Sequence, residues 1–560
     1  MFSKTTTITF LVRILIALCT RTFFQPDEYF QALEPAHSII FGYGHLTWEW
    51  ATEQPIRSLL YPAVNVPMYW FLKVTGLDSW DTLVILGPRF IHGTLAAFTD
   101  IALCELTRKT IGERYVSTAF FLSITSFFHA LSLSRSLSNS LETSLTTIAL
   151  SMYPWHSTTP LDASTLRIRV RSMLFFASLA CAIRPTNAVI WMYLIPTLLW
   201  RLRDRKDALF GVLINAALTG HVFQFCSQLL SLISETSSTT LGIMFILDWL
   251  YYGRPVFTPL NFLRTNLSGV SLFYGSNPWH YYLAQALPIL CTTSLPFALH
   301  GLWAAQNTPL TTLRGLVLWT IGVYSLAGHK EWRFIHPVLP VLHLFAAKSL
   351  VDTFSSRTSA HNKNNTIVQK RILFFHSLNI PVSVYIALFY CSAPISVMSY
   401  IRSLPPQDMA GSIGFLMPCH STPGHAYLHR PQLAEPLRMW TLTCEPPLRN
   451  QNLSTYKDQT TVFFAEPLQY LKERFPEQVD PVFPSGTSRH LSNSVWSYEW
   501  PLHLVFFGAL LEKEGVRELL EEKGYKEVWR KGRSWEGDID ERKGGVRVWK
   551  WVAGEMQNHG

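Results

Sequence analysis

Long apolar runs alternate with short polar stretches from the N-terminus to about residue 397, where the pattern changes. A helix needs about 20 apolar residues to cross about 30 Å of hydrocarbon. On that measure the chain is expected to cross a membrane about eleven times. The runs are 5–20, 83–106, 115–133, 137–153, 171–183, 186–200, 208–233, 282–304, 312–327, 334–351 and 372–397. Arg13 interrupts the first run and no small-residue cleavage site follows, so 5–20 reads as a retained span and not a cleaved leader. The short runs on either side of Arg184-Pro185 read as a broken or re-entrant pair. From 398 to 560 the chain is richer in Pro, Glu and Lys. Its segments TVFFAEPLQYL, PLHLVFFGALLEKEG, VRELLEEKGYKEVWR and VRVWKWVA carry strand and helix patterns. The expected fold is an all-α polytopic membrane protein, residues 1–397, followed by a small α/β domain, 398–560.

Composition agrees: 48% of residues are hydrophobic and only 15% charged, against about 25% charged in soluble domains. The formal charge of +9 does not point to nucleic acid, because the basic residues collect in alternate connections. Arg108, Lys109 and Arg114 form one cluster, and Arg167, Arg169 and Arg171 a second. Arg201, Arg203, Arg205 and Lys206 form a third, and Arg357, Lys363, Lys370 and Arg371 a fourth. Cytoplasmic loops carry such an excess. With the N-terminus cytoplasmic, all of these clusters fall on the cytoplasmic side. The stretches 21–82, 234–281, 328–333 and the tail fall on the other side. Sequons at Asn266 and Asn452 share that side, and the one at Asn364 does not. Cys419 and Cys444 in the tail can pair if that side is oxidising, whereas the remaining cysteines lie in or beside apolar runs.

The polar motifs collect on the non-cytoplasmic side. Pro26-Asp27-Glu28 follows the first span; its carboxylates suit proton abstraction at a membrane face, and equally suit an ordinary helix start. Glu34, His37 and His45 in the same segment are candidates for acceptor contact. The loop Gly328-His329-Lys330-Glu331-Trp332-Arg333 places cations against the positive-inside bias, where His329, Lys330 and Arg333 suit a lipid phosphate. Snorkelling side chains at a helix end are the plainer alternative. Tyr274–Tyr282 brings Trp279 and His280 to an interface, as an aromatic belt or as a sugar-stacking surface. Arg135 with Asn139 and Glu142, and Arg89 with Asp100, are ionisable groups at membrane depth, expected to face a cavity or each other. Asp538-Ile539-Asp540 has metal-holding spacing but sits in a charge-rich turn. The set Cys419, His420, His425, His429 and Cys444 matches no standard zinc spacing.

Taken together, FFQPDEYFQALEPAH, FGYGHLTWEW, IRSLLYP, RSLSNSLET, FYGSNPWHYY and GHKEWRFIHPVLP resemble glycosyltransferase family 22, along nearly the whole chain. His45 departs from the residue usual between Gly44 and Leu46 in that pattern. The resemblance implies a GT-C architecture and a mannosyltransferase of the endoplasmic reticulum membrane with a luminal active site. It implies dolichyl phosphate mannose as donor and no metal or other cofactor. The tail's LMPCHSTPGHAYLHRP and TCEPP resemble members that add the third mannose, in α1,2 linkage, to the GPI lipid acceptor. A β-linked donor and an α-linked product imply inversion, with Asp27 as general base and Glu28 orienting it or the acceptor. His329, Lys330 and Arg333 are then expected to hold the donor phosphate, and Glu34, His37, Trp279, His280 and Arg135 to contact substrate. The same donor used in N-glycan precursor assembly is the alternative. A transporter would need two related halves with broken helices at mid-membrane, and no such repeat is evident. A non-catalytic assembly subunit would need neither Asp27 nor the clustered cations.

Overall fold

A computed structural model describes residues 4–155, 163–203, 239–267, 270–356, 367–368, 370–447, 451, 455–484, 496–533, 536 and 540–552. The expected span 208–233, the sequons at Asn364 and Asn452, and Asp538 lie outside these residues. The chain forms two compact units. The first comprises Met1–Cys19, Thr52–Val64 and Pro88–Val384, and the second Thr20–Ala51, Asn65–Gly87 and Tyr385–Gly560.

The described apolar runs of the first unit are helical, among them Lys4–Cys19, Val116–Ile124, Ser138–Met152, Ala163–Ile183, Ala188–Arg203 and Thr308–Ser325. Among the described residues, four stretches are long and apolar enough to cross a membrane: Asp81–Thr110, Tyr282–Trp303, Trp332–Phe354 and Arg371–Arg402. The most apolar part of Arg371–Arg402 is almost wholly exposed, as a lipid-facing helix is, whereas Ala393, Val397, Met398 and Ile401 at its end are buried. Small residues let these helices meet closely. A Cβ on Gly301 would come within 2.2 Å of the Phe345 carbonyl oxygen, and one on Gly93 within 2.9 Å of the Ile14 Cα.

The ionisable groups at membrane depth pair differently from the expectation. Asp100 takes a two-pronged bond from Arg13, at 2.7 and 2.9 Å, and a hydroxyl bond from Ser123 at 2.6 Å. Both charged side chains of that pair are fully buried. Arg89, eleven residues before Asp100, is about three helical turns away along the axis and cannot reach it. Glu142 faces Arg184 at 3.0 Å and accepts from Asn187 at 2.9 Å. Arg135 is buried and donates to the Leu131 carbonyl at 2.7 Å.

The second unit holds a five-stranded sheet. Its strands are β1 (Ile413–Leu416), β2 (Met439–Thr441), β3 (His503–Phe507), β4 (Tyr525–Lys531) and β5 (Val546–Trp551). The order is β2-β1-β3-β5-β4, with β1 parallel to β2 and β3, and β5 antiparallel to both of its neighbours. Both faces are buried, which explains the unbroken apolar run HLVFF in β3. Leu416, Leu504, Phe506 and Trp549 point into a core with Phe463, Tyr470, Trp500 and Leu519. Phe415, Val505, Phe507 and Val548 point into the other, beside Tyr29, Phe30, Val397 and Met398. The division of the chain therefore differs from the expected boundary at 397/398. The acidic segment after the first span folds with the tail because Tyr29 and Phe30 complete one face of its sheet.

Val66–Thr75 connects this segment to the span Asp81–Thr110. Tyr69 and Leu72 are buried beside Ala36 and Val84, while Trp70, 57% exposed, and Phe71 and Val74 face outward. Trp80, 68% exposed, stands one residue before the span. Such a surface suits the headgroup level of a bilayer.

Candidate active site

In the second unit, Pro26 caps a helix that continues from 27 to 41, with the turn Tyr29–Leu33 wound as a π-helix. Asp27 and Glu28 occupy its first turn, the former half-buried and the latter buried. The helix-start chemistry anticipated for Pro26-Asp27-Glu28 is thus present. π-turns often mark functional sites, and here one begins two residues after Asp27. His129–Leu133 and Tyr282–Ala286, beside the Arg135 and Trp279-His280 motifs, are also π-helical.

Glu34 and His37 are both fully buried and bonded within the unit. The Glu34 carboxylate accepts the backbone N–H of His45 at 2.8 Å and of Ala426 at 2.6 Å. Burial pushes its pKa up to about 7, against the pull of those two donors. His37 Nδ1 donates to the Tyr43 carbonyl at 3.0 Å, so its Nε2 must accept, at 2.9 Å, from His429 Nδ1. That tautomer requires a neutral ring, and burial lowers the His37 pKa to about 3. The tail also brings His420, whose ring lies 4.6 Å from that of Phe30 and whose protonated form is favoured by the Asp27 charge. Burial nonetheless lowers its pKa to about 4.

Cys419 and Cys444 are joined as a disulfide. The two sulfurs are therefore not available as the thiolates a zinc site would use. His420 Nδ1 lies 3.6 Å from the Cys444 sulfur, so the bridge fixes the backbone on which His420 sits.

Six imidazoles of this unit, His37, His45, His420, His425, His429 and His503, have pKa values lowered by burial. Groups held neutral when folded and charged when unfolded stabilise the fold above their ordinary pKa of 6.5 and lose that contribution as pH falls. Glu34, raised, runs the other way. With six against one, the second unit is expected to lose stability progressively below about pH 6.5. Proteolysis of the full chain in detergent at pH 7.5, 6.0 and 5.0 checks this, with cleavage rising first within 385–560.

The first unit brings two of the motifs together. Lys330 Nζ donates to the Asn277 carbonyl at 2.7 Å, Asn277 Nδ2 donates to the Lys330 carbonyl at 2.8 Å, and His329 Nδ1 donates to the Gly275 carbonyl at 2.9 Å. Glu331 sits inside this loop, gripped by the Arg333 fork at 2.6 and 2.9 Å and facing His329 Nε2 at 3.3 Å. Burial works to raise its pKa, but Arg333 and His329 hold it well below the usual carboxylate range. His329, bonded to Glu331, is correspondingly raised. With both ring nitrogens facing acceptors it is a cation, and His329, Lys330 and Arg333 outweigh Glu331. Lys330 is only 3% exposed, and its one bonding partner among the described residues is a neutral carbonyl. Its charge is therefore not cancelled by direct contact. Trp279 stands 70% exposed and His280 is exposed beside it.

Residue types alone did not single out Arg184. Its guanidinium lies 5.4 Å from the Phe334 ring centre, and that of Arg333 lies 5.9 Å from the same ring. Its place at the Arg-Pro break was the available cue. His129, His336 and His343 are buried with ring centres 5.0 and 5.4 Å apart, and nothing in their spacing announced that.

A mostly helical chain with several membrane-length helices and a small sheet has the GT-C fold. The crystal structure of ArnT from Cupriavidus metallidurans bound to undecaprenyl phosphate shares that fold. It matches with a TM-score of 0.53 and 12% identity, over 98% of this chain and 97% of that one. Residues 4–429 match the Alg9-like mannosyltransferase family, and the chain belongs to that family. It is 34% identical to GPI mannosyltransferase 3 of Yarrowia lipolytica, over 92% of this chain and 90% of the relative. It is 33% identical to GPI alpha-1,2-mannosyltransferase 3 of Mus musculus, over 90% of this chain and 81% of the relative.

Proposed function

We propose that the chain transfers the third mannose, in α1,2 linkage, from dolichyl phosphate mannose to a GPI precursor at the luminal face of the endoplasmic reticulum. The observation that carries this reading is the similarity to relatives named for that activity, over 90% or more of this chain. In this reading about eleven helices span the membrane. Both the acidic segment and the domain 398–560 are luminal, where oxidising conditions suit the Cys419–Cys444 disulfide.

The reaction is a single displacement with inversion. The 2-hydroxyl of the acceptor mannose attacks C1 of the donor sugar. Its proton passes to the Asp27 carboxylate as the O–C1 bond forms. The bond from C1 to the phosphate oxygen breaks, and dolichyl phosphate leaves with the electron pair. Charge grows on that phosphate, so the leaving group needs cations more than a proton. Lys330 and Arg333 supply permanent ones, and His329 a third held protonated by Glu331. Trp279 and His280, exposed beside that loop, suit stacking on sugar or lipid.

The test uses microsomes from cells lacking the activity, with and without this chain, given labelled dolichyl phosphate mannose. A two-mannose GPI intermediate should accumulate without the chain and be converted to the three-mannose form with it. Rescue of an N-glycan precursor instead would overturn the choice of acceptor.

A further inference from the structure

We propose that Glu34 is a positioning residue for the transfer reaction: it fastens the tail segment Cys419–His429 to the helix that carries Asp27, making that segment part of the catalytic unit. The inference rests on the proposed function for its assay and on Asp27 as the base.

The geometry is that of a built clasp. Glu34 Oε1 accepts from Ala426 N, in the helical turn His425–Leu428, and Oε2 accepts from His45 N, in the loop that returns from the same acidic segment. One carboxylate therefore ties together the Asp27 helix, its own return loop and a tail segment 392 residues away. Two glycines make room for it. A Cβ on Gly424 would stand 2.6 Å from Glu34 Oε1, and one on Gly44 3.3 Å from Oε2. What the clasp holds is also defined. His429 receives the His37 ring on one side of Ala426, and on the other His420 lies against Phe30, three residues beyond Asp27.

A buried carboxylate is an expensive way to join two segments, since burial works against its charged form and apolar contacts would serve for adhesion alone. What a carboxylate adds is direction, because two N–H groups meeting two oxygens fix the relative placement of three backbones. A misplacement of about 1 Å at a reacting group can cost about 10²-fold in rate. The titratable residues that face Glu34 are Tyr43 and Tyr69, with His45 meeting it through its backbone N–H. Tyr43 and Tyr69 are both raised by burial, with Glu34 among the further causes.

The experiment compares the full-length wild type with Glu34→Ala, Glu34→Gln and Gly424→Ala in the microsome assay, alongside formation of the Cys419–Cys444 disulfide as a measure of the intact fold. Gly424→Ala displaces the carboxylate without removing it, and so tests the clasp from the other side. We expect kcat to fall about 10- to 100-fold in Glu34→Ala and Gly424→Ala. KM for dolichyl phosphate mannose should change less than about threefold and the disulfide should form. The wild-type rate should rise with pH through about 7, as Glu34 ionises and both oxygens become acceptors, and Glu34→Gln should flatten that rise. Rates within about twofold of wild type in both Glu34→Ala and Gly424→Ala would overturn the inference. So would a loss of activity that only follows loss of the disulfide. A wild-type chain that fails to convert the two-mannose intermediate refutes the proposed function instead, and is seen before any variant is compared.

Discussion

Asp27→Asn should lower mannosyl transfer by about 10³-fold or more while leaving the protein folded, because a positioned general base contributes about 10²–10⁴-fold. Asparagine keeps the size of the side chain and its hydrogen-bonding carbonyl, but it cannot take the acceptor proton. The competing effect is structural. Asp27 lies in the first turn of the helix that runs from 27 to 41, where a negative charge is worth about 0.3–1 kcal/mol. That is too small to unfold a unit whose sheet is buried on both faces by Tyr29, Phe30, Phe415 and Val505 on one side and Phe463 and Trp500 on the other. Rate and stability should therefore separate. The two-mannose GPI intermediate should accumulate in cells carrying Asp27→Asn, with wild-type amounts of protein and an intact Cys419–Cys444 disulfide. Glu28→Gln is the necessary companion, since Glu28 is buried and next in the chain. If Asp27→Asn retains wild-type transfer and Glu28→Gln loses it, the roles are reversed.

Sequence carried the membrane-spanning helices and the strands of the tail because each is written locally, in runs of apolar residues with a fixed period. It could not carry pairings between distant segments. Arg13 meets Asp100 across 87 residues, and His37 meets His429 across 392. Glu34 shows the consequence for the site. A glutamate in an acidic, aromatic loop looks solvent-facing until its partner segment is known, and that partner lies in the tail. The cationic loop was legible because Lys330 and Arg333 run against the charge bias of membrane proteins. Its internal counter-charge was not, since whether Glu331 faces solvent or the Arg333 fork depends on how the loop closes against Asn277.

Arg333 provides the second large expected effect, in which two costs have to be separated. Arg333→Ala removes a cation from the proposed phosphate site, and loss of one preorganised charge-stabilising group costs about 10²–10³-fold in rate. It also strips Glu331 of its two-pronged partner. Stranding a carboxylate is destabilising by about 3–5 kcal/mol where it is fully buried, and by less at Glu331, which is half-buried and keeps its His329 contact. The single variant should therefore be both about 10³-fold slower and less stable. Glu331→Gln combined with Arg333→Ala removes the stranded charge along with its partner. It should recover most of the thermal stability in detergent and almost none of the rate. Arg333→Lys keeps the charge but not the planar fork that matches a carboxylate or phosphate, so a loss of about 10- to 100-fold with near-normal stability is expected. If the double variant regains transfer to within a few-fold of wild type, Arg333 serves only to neutralise Glu331. The donor phosphate would then have to be held by Lys330, whose ammonium has only a neutral carbonyl partner among the described residues.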